Sequence, residues 1–189
     1  PHVLDEMDRA TGDLKLRGIK LGPNYQNFDP LGDDAAKVFA RAQELGLPIV
    51  MHQGTSPVQF ADLDWAHPRH LDRIATRFPA LRIVIAHFAH PWQVDALAVI
   101  RKHPNVWADI SALHYRPWSY YTSLRLATEW SVLHKLLFGS DWPVASPQET
   151  IDAIPHVNDI LEGTRLPRVP VDELLAVVER DALSALGLD

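Results

Sequence analysis

The 189-residue chain contains no cysteine and only two methionines. No disulfide can staple it and no thiolate can bind a metal, so a metal here must be held by histidine and carboxylate. The same absence fits a reducing compartment, and the cytoplasm is the expected location. No apolar run approaches the ~20 residues that a membrane-spanning helix needs. Basic runs and stripes are missing and the formal net charge is -6, so neither nucleic acid nor membrane is an expected partner. The first residues, Pro-His-Val-Leu-Asp-Glu-Met, have neither the charged start nor the apolar stretch of a signal peptide. Without an initiator methionine, the sequence is expected to begin inside a longer one. Glycine-rich phosphate loops are absent as well, which argues against a nucleotide-binding doubly wound sheet.

What remains is ordinary for a soluble folded protein, at 47% hydrophobic and 22% charged residues, and a single domain over residues 1–189 is expected. Ten histidines and fifteen prolines stand out. Leu14 to Leu21 alternates apolar and polar and predicts a first strand. Short apolar runs predict four more: Ile49 to Met51, Leu81 to Ala86, Val106 to Ile110 and Lys135 to Gly139. Helical patterns separate them. Asp33 or Asp34 opens a helix that Gly46 stops, with Pro48 just beyond. Leu71, Ile74, Ala75 and Phe78 form the stripe of a second helix, which Pro79 breaks. Pro91 opens a third, carrying Val94, Leu97 and Ala98, and a fourth ends near His134. Ser146-Pro147-Gln148-Glu149 has the pattern of a capping box, and Val171 to Leu186 reads as a last helix closed by Gly187.

Strand and helix alternate five times, at roughly 25 to 35 residues per unit. That rhythm requires right-handed crossovers and parallel strands with helices outside. Three strand ends carry His52, His87 and Asp141. In a parallel sheet such ends converge on one rim, where barrel enzymes place their chemistry. Alternation puts His52 on the face of Val50, His87 on that of Ile85 and Asp141 on that of Gly139. Imidazole and carboxylate together suit a divalent metal, Zn²⁺ first among them, and a histidine outside the ligand set can move protons.

Gly18-Ile19-Lys20-Leu21, Leu47-Pro48-Ile49-Val50-Met51-His52, Ile83-Val84-Ile85-Ala86-His87, Asn105 to Ser111 and Phe138-Gly139-Ser140-Asp141-Trp142-Pro143 occur in the order found in the amidohydrolase-2 family. The chain resembles its TIM-barrel metal-dependent hydrolases and decarboxylases, those related to aminocarboxymuconate-semialdehyde decarboxylase, over nearly its whole length. The resemblance implies an α/β fold, a (β/α) TIM barrel of the metal-dependent hydrolase type lacking its first three strands. It implies that His52 is a metal ligand, that His87 orients or deprotonates the attacking water, and that Asp141 lies close to the metal and takes part in proton transfer. Lys20 would be structural or substrate-facing.

Two departures stand beside it. The family's first strand carries a His-x-His pair, and no such pair exists here; His67/His70 and His87/His90 are spaced His-x-x-His. Phe88-Ala89 replaces a glycine-rich turn. Trp92, Ser111 and Arg116 are substrate-binding candidates, Arg116 for a carboxylate. Ser111 either lines the pocket or hydrogen-bonds a neighbouring strand, and His114, Tyr115 and Trp118 could wall the pocket. The expected activity is hydrolysis of a small carboxylated or lactone-like substrate by metal-activated water. Non-oxidative decarboxylation on the same scaffold, or a catalytically incomplete barrel fragment with a binding or assembly role, are the alternatives. Two open sheet edges also predict association with a second copy or with an upstream part of the same protein.

Overall fold

Five short aliphatic runs pair side by side as parallel strands: β1 (Ile19–Leu21), β2 (Ile49–Met51), β3 (Ile83–Ile85), β4 (Val106–Asp109) and β5 (Leu136–Leu137). Their spatial order is their chain order. We describe residues 3–189 of a computed structural model; Pro1 and His2, the first of the residues read for a signal peptide, lie outside them. The register aligns Ile19, Ile49, Ile83 and Val106 in one row, and Leu21, Met51, Ile85, Ala108 and Leu136 in another.

Both rows face the helices. Apart from the partly buried Ile19 and Leu21 on the edge strand, their members are buried, and all join one core with Phe39, Leu71, Ile74, Leu97, Ile100 and Leu124. The row between them carries Lys20, Val50, Val84 and Trp107. Lys20 is exposed, and Val50 and Trp107 are only half-buried. Ile49 to Met51 is apolar throughout, yet only its helix-facing side is fully sealed. The other side is the concave face of an open barrel segment.

The outer layer consists of α1 (Val3–Gly12), the short α2 (Pro23–Gln26), α3 (Asp33–Glu44), α4 (Arg69–Arg77), α5 (Gln93–Lys102), α6 (Pro117–Glu129), α7 (Pro147–Asp152), α8 (Val171–Glu179) and α9 (Ala182–Ala185). Gly46 takes the left-handed φ of +69° that ends α3, and Leu47 N donates back to Ala42 O. Ser146 and Glu149 form the reciprocal capping box at α7.

Three expectations need correction. The first strand covers Ile19–Leu21 rather than residues 14–21, because Leu14 and Leu16 are exposed and Lys15 is left-handed. The fifth stops at Leu137, so Lys135 belongs to a 3-10 turn and Gly139 to a loop. The last helix is two. Arg180 is extended there and donates to Leu136 O at 3.0 Å, and Asp181 caps α9 by accepting from Ser184 N.

Candidate active site at the strand ends

His52 follows β2 directly, and its backbone N–H donates to Leu21 O at 2.7 Å, continuing the ladder by one residue. It therefore stays on the concave face with Val50, as alternation requires. Gly54 then turns the chain at φ +115°, and a Cβ there would lie 2.4 Å from His90 O. Only glycine permits that approach, which Thr55 N reinforces by donating to the same oxygen.

His87 reaches the site by a different route. Alternation would send it to the helix side with Ile85, but β3 ends at Ile85. His87, Phe88 and Ala89 follow in left-handed backbone, at φ 58°, 47° and 53°. Each such non-glycine residue costs roughly 1–2 kcal/mol. The fully buried Phe88 side chain anchors the turn, and the His87 N–H donates to Asp109 Oδ1 at 2.9 Å. The turn swings the His87 ring to 5.1 Å from that of His52. Asp141 also lies past the end of its strand, at φ 69°. Strand alternation does not place it; the loop does, with Oδ1 3.8 Å from His87 Nε2.

His52, His87 and Asp141 line a cavity of about 390 Å³ with Lys20, Gly22, Tyr25 and Gln26. A cavity of about 350 Å³ contains the same three residues together with Gln53, His90, Tyr115 and Arg116. The Arg116 guanidinium sits 4.5 Å over the Tyr115 ring and donates to Ala112 O. Another cavity, of about 490 Å³, runs along the free side of β1 between Val3, Met7, Leu21, Phe28 and Val38. Its lining is mostly apolar, with Asp29, Asp33 and Asp34 also present, and it holds none of the three strand-end groups, so the chemistry is assigned to the rim.

The strand-end structure therefore brings His52, His87, Asp141 and Arg116 together. Ser111 is buried, and its hydroxyl lies between His87 and Asp109 rather than open to the cavity. Trp92 stacks on His67 at 4.8 Å, outside the cavity lining, and Trp118 is exposed. Tyr25, Gln53 and His90 line the site, although nothing in the residue pattern singled out Tyr25 or Gln53. Both lie one or a few residues past a strand end, and that position is the signal that could have found them.

Burial, then the neighbouring His87 and Lys20, pulls the His52 imidazole down to about 4. It is neutral near pH 7, and its Nε2 is buried without a hydrogen-bond partner. A neutral, orphaned imidazole nitrogen lining the same cavity as the Asp141 carboxylate fits a metal ligand. Among the described residues, however, no group of three His, Cys, Asp or Glu side chains is placed to hold an ion.

The amidohydrolase family model matches residues 1–174. This chain belongs to the amidohydrolase family. An L-fucono-1,5-lactonase from Burkholderia ambifaria is 35% identical, over 41% of this chain and 33% of the lactonase. An uncharacterised TIM-barrel protein from Bordetella bronchiseptica superposes with a TM-score of 0.73 at 21% identity, covering 97% of this chain and 62% of that one. A Burkholderia multivorans amidohydrolase with bound zinc gives 0.64 at 19% identity, covering 100% and 70%. Hydrolases and decarboxylases both occur among the solved structures of this fold. The chain thus spans a third of the lactonase and about six-tenths of the Bordetella protein. No described helix is long and apolar enough to cross a membrane.

Proposed function

We propose that this chain carries the proton-handling half of an amidohydrolase site that opens a small lactone-like or carboxylated substrate with water. One observation carries the reading: His87 Nε2 and Asp141 Oδ1 face each other at 3.8 Å in the same cavity as the orphaned Nε2 of His52. That gap is longer than a hydrogen bond, and a proton passed from an attacking water to His87 stays within reach of Asp141. The lactonase relative supports a lactone-like substrate, and Arg116, fixed over Tyr115, is suited to a substrate carboxylate.

His52 and Asp141 would hold a divalent metal. When bound, such an ion supplies Lewis acidity and a nucleophilic water at neutral pH. The zinc-bound relative supports that class of ion. No third His, Cys, Asp or Glu among the described residues is placed to join them.

The test is turnover of sugar lactones and aromatic carboxylates by the purified chain with added Zn²⁺ or Mn²⁺. Metal-dependent hydrolysis that is lost in His52→Ala and in Asp141→Ala is the expected result. Undiminished turnover in either variant refutes the assignment. Decarboxylation in place of hydrolysis keeps the residues and changes the reaction.

A further inference from the structure

His87 sits in a hydrogen-bonded chain that runs away from the cavity. Its Nδ1 is 2.8 Å from Ser111 Oγ, and Ser111 Oγ is 2.5 Å from Asp109 Oδ1. The same Asp109 oxygen accepts from two backbone N–H groups, His87 N at 2.9 Å and Ser111 N at 3.0 Å. Backbone nitrogens only donate, so Asp109 Oδ1 is an acceptor throughout. The single hydroxyl proton of Ser111 must then lie toward Asp109, since otherwise two oxygen lone pairs would face each other at 2.5 Å. With its proton spent, Ser111 Oγ is left to accept, and His87 Nδ1 must donate to it. In a neutral imidazole one nitrogen carries hydrogen and the other does not. The bare nitrogen is therefore Nε2, the one that faces Asp141.

We propose that Asp109 and Ser111 are positioning residues that fix His87 as its Nδ1–H tautomer, leaving Nε2 as the proton-accepting atom of the site. Asp109 does this twice over, through the ring by way of Ser111 and through the backbone by holding His87 N–H in the left-handed turn. Gly139, on the neighbouring loop, packs against the pair: a Cβ there would lie 3.4 Å from both Asp109 Cγ and Ser111 Cβ. The proposal rests on the reading of His87 as the proton-handling group, and it concerns which nitrogen does the handling.

The test needs neither metal nor substrate. The purified chain, labelled with ¹⁵N in histidine, is examined by long-range ¹H–¹⁵N correlation at pH 9, with His87 assigned by its disappearance in His87→Gln. The expected spectrum shows a protonated Nδ1 and a bare Nε2. Ser111→Ala, which removes the acceptor, is expected to shift His87 toward the Nε2–H form, and Ser111→Thr to keep the native pattern. A native Nε2–H tautomer, a ring protonated on both nitrogens, or a Ser111→Ala spectrum unchanged at His87 overturns the proposal. Should Ser111→Ala fail to fold, the native and Ser111→Thr spectra decide. An Nδ1–H tautomer in a chain without turnover upholds the relay and sinks the hydrolase reading; turnover with an Nε2–H tautomer does the reverse.

Discussion

Three glycines of this chain differ in one physical variable each, and replacing them by alanine tests the packing around the site. Gly12 ends α1 with nothing within 4 Å of a built Cβ and an ordinary φ. Gly46 is equally open but lies at φ +69°. Gly54 combines φ +115° with a backbone oxygen, His90 O, at 2.4 Å from the new carbon. Gly12→Ala should stabilise by about 0.5–1 kcal/mol, because alanine loses less chain entropy in a helix. Gly46→Ala should cost roughly 1–2 kcal/mol of left-handed strain. Gly54→Ala adds ~1–3 kcal/mol of overpacking to ~1–3 kcal/mol of strain, about 2–6 kcal/mol in all. A carbonyl tied to Thr55 N cannot swing aside as a side-chain tip would. Urea unfolding reads the series directly: with a slope of ~2 kcal/mol/M, a 4 kcal/mol loss moves the midpoint by about 2 M. If Gly54→Ala falls within 1 kcal/mol of Gly46→Ala, the close approach of the two site loops is not what requires glycine.

Phe88→Ala should cost about 3–5 kcal/mol, as expected for a fully buried phenylalanine, and should lower metal-dependent turnover by loosening the turn that aims His87; unfolding and kinetics on one preparation check both. Lys135 is buried against Trp107, its ammonium 4.3 Å from the ring, and burial pulls it down to about 8. An unfolded lysine titrates near ~10.4. Between those values the unfolded chain holds a proton that the native state has lost, so stability rises with pH across the window. The rise between pH 7.5 and pH 10 is about 2 kcal/mol and should be missing in Lys135→Met, which denaturation of both proteins at those two pH values will show. Arg180→Ala should cost ~1–3 kcal/mol by leaving Leu136 O without its donor, and a stability unchanged within 0.5 kcal/mol would deny Arg180 its role in parting α8 from α9.

Much of this fold is local in origin and could be read locally. A short β-branched run followed by a helical stripe has one economical continuation in a parallel sheet, so the five strands and their order came out as expected, with an end five residues off at β1 and ends one or two residues off at β3, β4 and β5. At β1, apolar alternation in Leu14 and Leu16 looks like a strand, but both residues are exposed. The break at Arg180 was legible only in part. Asp181 is a sound helix cap in sequence, whereas the carbonyls that Arg180 bonds lie 44 and 47 residues away.

The site divides along the same line. The sequence by itself determined that His52, His87 and Asp141 stand past the ends of parallel strands, because strand polarity alone gathers such ends on one rim. Residue type also made Arg116 a candidate for a substrate carboxylate. Only the tertiary structure decided how the rings face. Alternation predicts His52 correctly because the ladder continues through it, and mispredicts His87 because three left-handed residues turn the chain after Ile85. It also decided that Ser111 serves His87 rather than the open cavity and that Trp92 packs on His67. Those pairings depend on strand register and on the bend of a single loop, joining residues 22 to 25 positions apart. No pattern along one strand encodes a distance across two.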